Sequence, residues 1–263
     1  MVAASSRSAP RRDHEFLCEH GGIRRADLWL KRLGSNAQGM SDIDRDGMAS
    51  RRYSAAGSES QFQPGSRGRV LRNLLGITRV REMEEVETQA LRAAQAVAKK
   101  TYGPNHRFTS GDICRLHRMW LGDIYPWAGN YRTLNIGKGG FQFAHAPLIP
   151  RLMTILGKEV LGRHTPCGRA TDVSVARSLA EVHAELILIH PFRDGNGRLA
   201  RLVALLMASQ AGINPLRLSV LAGRGKQTYV QAIHVAMSRD YVPLELLFAS
   251  AIDGPWRPDS SST

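Results

Sequence analysis

Apolar positions along the chain fall into helix-length stripes separated by polar or glycine-rich breaks. Over residues 80–100, apolar or small residues recur at Val80, Met83, Val86, Ala90, Ala93, Ala94 and Val97, the spacing of a helix with one buried face. Glu82, Glu84, Glu85 and Glu87 crowd its first turns, where the positive end of a helix dipole favours carboxylates. Thr109 and Ser110 offer an N-cap to a second helix reaching residue 121, with Ile113, Leu116, Met119 and Trp120 on its apolar side. His117 on that helix reads as a packing or surface residue. Residues 147–160 repeat the amphipathic pattern. Residues 172–189 predict a long helix buried through Val173, Ala176, Leu179, Val182, Leu186 and Ile189, with His183 and Glu185 in structural roles. A core helix follows over 199–207, and residues 227–237 and 242–252 predict the last two.

One internal stretch has a different period. Between residues 129 and 143, Tyr131, Thr133, Ile136 and Phe141 lie among Gly137, Gly139 and Gly140, which predicts a short β-hairpin. The pattern as a whole predicts an all-α fold, a helical bundle carrying one small hairpin. Residues 1–66 are rich in Ser, Arg, Gly and Asp with little periodicity, so most of them are expected to be disordered, apart from a helical turn or two over 26–33. The chain divides into an extension at 1–61, a folded domain at 62–252 and a tail at 253–263 broken by Pro255 and Pro258.

Composition narrows the function classes. The 263 residues carry a net charge of +13, of which residues 1–66 hold +2 and residues 67–263 hold +11. The basicity therefore belongs to the folded part and suits an anionic ligand or partner. Its basic residues are dispersed rather than interleaved with aromatics, which disfavours direct nucleic-acid readout. Cys18, Cys114 and Cys167 are odd in number and scattered, matching neither a disulfide framework nor a zinc site. No run of 18 apolar residues suggests a membrane span, no leader pattern is visible, and a cytoplasmic protein is the expectation. Asp42-Ile43-Asp44-Arg45-Asp46-Gly47 imitates the start of a calcium loop, but its twelfth position is Tyr53, where a bidentate Glu is needed.

The chemistry concentrates at residues 190–201, between two apolar helical stretches: His190-Pro191-Phe192-Arg193-Asp194-Gly195-Asn196-Gly197-Arg198-Leu199-Ala200-Arg201. A glycine-rich turn running into a helix N-terminus presents backbone N–H groups and a positive dipole end to an anion. Arg198 and Arg201, three apart, share one face of that helix, and guanidinium forks match phosphate oxygens. Asp194 is a hard ligand suited to a magnesium ion that keeps phosphate and water as its other ligands. His190 can accept a proton near neutral pH, and Phe192 reads as the anchor of the loop. The combination predicts a nucleotide-phosphate site with a metal and a general base.

Residues 190–201 match every fixed position of the Fic motif, His-x-Phe-x-(Asp/Glu)-Gly-Asn-Gly-Arg-x-x-Arg. The chain resembles the Fic/Doc family of nucleotidyl transferases over residues 62–252. The resemblance implies a protein adenylyltransferase that moves AMP from ATP to a protein hydroxyl. His190 would be its base. Asp194, Gly195, Asn196, Gly197, Arg198 and Arg201 would be its nucleotide-binding residues, with Mg²⁺ on Asp194. Gly195 and Gly197 stand where the kinase-like Doc branch has Ala and Lys. A Doc-like kinase and a non-catalytic nucleotide-binding module are the alternatives.

Residues 62–77 resemble the family's N-terminal segment, in which the counterparts of Arg72 and Asn73 sit near the nucleotide. Ile136, Gly137, Lys138, Gly139, Gly140 and Phe141 resemble the family's flap, which pairs strand to strand with the target. Family members of this type are often held off by a helix of pattern (Ser/Thr)-x-x-x-Glu-(Gly/Asn), whose Glu meets the last motif arginine. Thr78 to Glu82 starts that pattern, but Met83 follows. The resemblance therefore implies a separate antitoxin carrying the helix. Met48, shortly before the family-like segment, leaves open whether residues 1–47 belong to the native protein.

Overall fold

A computed structural model describes Glu59, residues 61–168 and residues 174–253. The helical turn expected over 26–33, the calcium-loop mimic, Cys18 and residues 254–263 lie outside the described residues. Helix α1 spans Val80–Thr101 and α2 spans Ser110–Leu121. Strands β1 (Gly137–Lys138) and β2 (Phe141–Gln142) pair antiparallel, Gly137 with Gln142 and Lys138 with Phe141. Helix α3 (Ile149–Ile155) runs on through a wider turn, Leu156–Leu161, into Gly162–His164. Helices α4 (Val175–Ile189), α5 (Asn196–Gln210), α6 (Lys226–Val235) and α7 (Val242–Asp253) complete the order. The architecture is all-α with one small hairpin, as the pattern predicts.

Helix α4 is the centre. Thirteen of its fifteen residues are buried, so it is packed on all sides rather than along one stripe. Helices α5 and α7 pack against it. Its buried polar side chains are partnered, as burial demands. His164 meets Ser178 at 3.1 Å and Glu181 at 3.1 Å, Tyr229 Oη meets the His183 ring at 2.9 Å, and Tyr241 donates to Glu185. Ser174 Oγ accepts from the Arg177 N–H at 3.0 Å and caps the helix there, so it starts later than the expected residue 172.

The cap expected for α2 is present as a reciprocal box. Thr109 Oγ1 accepts from the Asp112 N–H, and Asp112 Oδ2 accepts from the Thr109 N–H at 2.8 Å, an arrangement worth about 1 kcal/mol. The expected stripe of α1 is rotated. Val80 and Val97 are 39% and 50% exposed, while Met83, Glu87, Ala94 and Ala98 face inward. Alanines on several sides of this helix leave its direction open in the sequence, and a buried carboxylate fixes it. Met119 is likewise exposed rather than packed. Glu59, assigned to the extension, is joined to the domain. Its carboxylate accepts from the Thr133 N–H and hydroxyl at 3.2 and 3.3 Å, and its carbonyl accepts from Arg193 Nε at 2.8 Å. Among the described residues, no helix is long and apolar enough to cross a membrane.

Candidate active site

Helix α4 ends at His190, whose backbone is left-handed at φ 51° and whose N–H still bonds to the Leu186 carbonyl at 3.0 Å. A left-handed C-terminal residue followed by proline is a common helix stop. The turn aims the imidazole back at its own helix. Nδ1 lies 2.9 Å from the Ile187 carbonyl, a contact only a protonated Nδ1 can make, so Nε2 carries the lone pair. Burial lowers the His190 pKa to about 4; the positive charges of Arg132 and Lys138 push the same way, and the Ile187 bond and Asp194 oppose. The ring is neutral near pH 7, ready to accept a proton.

Two residues that the sequence does not mark as site residues hold this histidine. Phe143, just after β2, stacks on its ring at 3.7 Å and 15°. Arg132, 2% exposed, ties the hairpin base to the end of α4. Its N–H donates to the Pro191 carbonyl at 2.8 Å, Nε to His190 at 2.7 Å and Nη2 to Ala144 at 2.6 Å, while Nη1 donates to Leu134. A buried cation on the last carbonyls of a helix also suits its dipole. An isolated Arg before a hairpin gives no sequence signal for this. Phe143 carried one, in the alternation with Phe141.

The loop from Pro191 to Gly195 is locked from beneath. Phe192 is fully buried and stacks on His117 at 3.9 Å and 9°, the anchor role its motif position predicts. His117 is buried too. Its Nδ1 accepts from the Gly129 N–H at 2.8 Å, so Nε2 carries the proton that reaches the Asp194 carbonyl at 3.1 Å. Burial lowers its pKa to about 4. Gly195 has φ 80°, and a Cβ there would lie 2.7 Å from the Trp120 ring, so both the backbone and the space require glycine. Gly197 is different. It sits in the first turn of α5 without a positive φ, and a Cβ there would meet Arg201 Nη1 at 3.7 Å. The Arg201 guanidinium therefore lies over the helix N-terminus.

Several residues expected at the nucleotide have their side chains engaged within the protein. The Asn196 amide is 1% exposed. Its Oδ1 accepts from the Phe192 N–H at 2.9 Å and its Nδ2 donates to the Phe192 carbonyl at 2.8 Å, so the side chain braces the loop and its main-chain N–H remains for a ligand. The Gly195 N–H is held by Asp194 Oδ1 at 2.6 Å, which leaves the first-turn N–H groups from Asn196 onward as donors. Asn73 spends its amide on its own segment, donating to Leu71 and Ile77 at 3.0 and 2.9 Å and accepting from Leu75 and Ile77. Arg72 is exposed and donates to Gln61 at 2.6 Å. Both side chains bond within the 61–77 segment.

The arginines stand differently from one another. Arg198 pairs with Glu87 at 2.5 Å. Arg201 is half-buried; burial lowers its pKa and neighbouring Arg198 adds to this, with Tyr229 opposing. No carboxylate among the described residues pairs with Arg201. Two neighbouring guanidiniums beside a helix N-terminus, Arg201 with no carboxylate partner among the described residues, can attract an anion. Asp194 beside it has one oxygen fixed by the Gly195 N–H, and no cluster of three metal-ligating side chains exists among the described residues. That donor set fits a magnesium ion carried mainly by phosphates.

The flap residues form the hairpin. Gly139 and Gly140 make its two-residue turn at φ 56° and 78°, the positive pair such a loop needs. Ile136 is buried and Lys138 exposed, while Phe141 stacks on His234 of α6 at 5.0 Å.

Comparison with known proteins agrees with this geometry. The family model described as Fic/DOC family matches residues 107–208. A Salmonella typhimurium protein named "Probable protein adenylyltransferase Fic" is 31% identical over 200 residues, covering 74% of this chain and 93% of that one. Protein adenylyltransferase VbhT of Bartonella schoenbuchensis is 31% identical over 148 residues, 54% of this chain and 30% of that one. The BepC effector of Bartonella tribocorum, solved with AMPPNP bound, shares the fold at a TM-score of 0.54 with 21% identity, covering 71% of this chain and 93% of that one. The chain belongs to the Fic/DOC family.

Proposed function

We infer that the chain transfers AMP from ATP to a side-chain hydroxyl of a target protein. The observation that carries this is the juxtaposition of a neutral His190, its Nε2 lone pair free, with a helix N-terminus overlaid by Arg201. The names of the relatives and the AMPPNP in BepC support the same reading. His190 Nε2 takes the hydroxyl proton as the oxygen attacks the α-phosphorus, and the bond to the β-phosphate oxygen breaks to release pyrophosphate. The α5 N–H groups face the charge developing on the α-phosphate, and Arg198 and Arg201 hold the leaving phosphates. Asp194 would hold Mg²⁺, which supplies neutralisation of phosphate charge. Gly195 supports this reading over the kinase-like one, since the alanine of that branch would press on Trp120. Its use of ATP and its cysteine pattern support a cytoplasmic setting. The test is intact-mass analysis of candidate targets incubated with enzyme, Mg²⁺ and ATP: a gain of one AMP unit supports the reading, and a gain of one phosphoryl unit or of nothing contradicts it.

Asp194→Ala is expected to weaken Mg²⁺-dependent ATP binding and to leave binding in EDTA little changed. Equal affinities for both proteins with and without Mg²⁺ would remove the metal role. The hairpin is proposed to dock the target strand to strand. Proline cannot take the positive φ of Gly139 or Gly140, so Gly139→Pro or Gly140→Pro should cut target modification well below its effect on ATP binding. Equal losses would mean the flap serves the nucleotide or the fold.

That no carboxylate among the described residues pairs with Arg201 supports a separate antitoxin whose Glu would pair with it, and a toxin role for this chain. Expression alone is expected to arrest host growth, and co-expression with the antitoxin's gene, sought beside this one, to relieve it. Harmless expression of an active enzyme would refute the pairing.

A further inference from the structure

We propose that Glu87, backed by Tyr125 and Trp120, positions Arg198 for the phosphates of the nucleotide. This rests on the reading of the α5 N-terminus as the phosphate site. Glu87 lies outside the motif, on α1, and is 5% exposed. Its Oε2 accepts from Arg198 Nη1 at 2.5 Å, its Oε1 accepts from the Tyr125 hydroxyl at 2.7 Å, and its carbonyl accepts from Trp120 Nε1 at 2.8 Å. Burial and the Glu87 charge both raise the Tyr125 pKa, so this hydroxyl remains a donor. Glu87 is thus held before it meets the arginine, its main chain by α2 and its carboxylate by the turn that follows.

Arg198 is gripped on two sides. Glu87 takes one nitrogen at its edge, and the Trp120 ring lies 4.6 Å beneath its guanidinium carbon, a cation–π arrangement. The Arg198 side chain is 30% exposed against 6% for Glu87, so the tether is inside and the remaining donors stand toward solvent. A fork held with its plane fixed and most N–H groups unspent is pre-organised for a phosphate. The same indole crowds Gly195, so one ring sets the position of both the turn and Arg198 relative to the phosphate site.

The opposite reading makes Glu87 a competitor that keeps Arg198 from phosphate. The two differ in sign. Removing a carboxylate near a phosphate site strengthens ATP binding by simple Coulomb attraction, whereas removing a positioning group weakens it. Calorimetric ATP titrations and ATP-dependent initial rates should be measured on the full chain for wild type, Glu87→Gln, Tyr125→Phe, Arg198→Ala and the Glu87→Gln/Arg198→Ala double variant. Groups that orient the ligands of a metal are commonly worth roughly 10–100-fold, and the same scale is expected for a side chain oriented toward phosphate. Glu87→Gln should raise the ATP Kd and KM by at least the lower end of that range. Tyr125→Phe, which loses only the hydroxyl, should shift both the same way by less. In the Arg198→Ala background Glu87→Gln should add nothing, a non-additivity that a purely structural role lacks. Tighter or unchanged ATP binding in Glu87→Gln, or losses that simply add, overturns the proposal. Should Glu87→Gln fail to fold, Tyr125→Phe decides by the same criteria. Wild type that binds no ATP refutes the phosphate-site reading and this proposal with it, whereas a wild type that binds ATP beside insensitive variants refutes only this proposal.

Discussion

His190→Ala is expected to lower the transfer rate by at least ~10²-fold, the usual worth of a positioned general base. The Ile187 carbonyl holds the ring tautomer and Phe143 holds its plane, so Nε2 is presented in one protonation state and one orientation. Because alanine is strained at φ 51°, at a cost of about 1 kcal/mol, part of any loss could come from the backbone. Asparagine tolerates that conformation, so His190→Asn separates the two. Both variants should lose the rate alike, and Asn should melt nearer to wild type. The pH profile follows from the lowered pKa. With the free-enzyme value at about 4, kcat/KM for ATP, counted per folded molecule, should stay flat as pH falls from 8 toward 5 and decline only near pH 4. Bound phosphates favour the imidazolium, so the acid limb of kcat should lie higher than that of kcat/KM. A His190→Ala variant retaining full rate on a validated target would show that the base lies elsewhere.

Acid should unfold the domain at a mildly low pH. His117, His183 and His190 have folded pKa values lowered to about 4, 3 and 4, with burial the first cause in each case, against about 6.5 unfolded. Between pH 6.5 and 4 the unfolded chain therefore binds more protons, and stability falls as pH falls. Each histidine contributes at most about 1.4 kcal/mol per pH unit, and three together at most about 4. Over the first pH unit and a half this amounts to at most about 6 kcal/mol, the lower end of a typical domain's stability of about 5–15 kcal/mol. Asp112 acts later. Burial works to raise its pKa, but hydrogen bonds from Arg115, Thr109 and His106 outweigh it and hold the carboxyl at about 2, so its contribution is lost only as pH drops from about 4 toward 2. Urea titrations at pH 7.5, 6.0 and 5.0 should show this loss, and His117→Gln should flatten it by about one histidine's share. A stability unchanged between pH 7.5 and 5.0 would mean that these rings are not buried neutral.

The fold class, the hairpin, the α2 cap and the motif were legible because each depends on neighbours in the sequence. What escaped depends on contacts across the chain. Glu87 lies four residues from Met83 and so on the buried side of α1, yet among four glutamates it reads as part of a solvated, dipole-favoured cluster until Arg198, 111 residues on, is placed beside it. His117 looked like packing and is packing, but beneath the motif loop, where it fixes Asp194. Asn196 and Asn73 are the instructive pair. Position suggests a ligand, while burial turns both amides onto their own loops. Arg132 had no local signal at all, because its partners are carbonyls, which any sequence supplies.

The central claim is that this site moves the α-phosphoryl group with its nucleoside and releases the rest. It is tested most directly with ATP labelled in turn at the α- and γ-phosphate, incubated with the full chain, Mg²⁺ and a validated target. The account predicts that α-label enters the target with wild type and not with His190→Ala, and that γ-label leaves as pyrophosphate. Label entering the target from the γ-position, or α-label entering equally with both proteins, would contradict it.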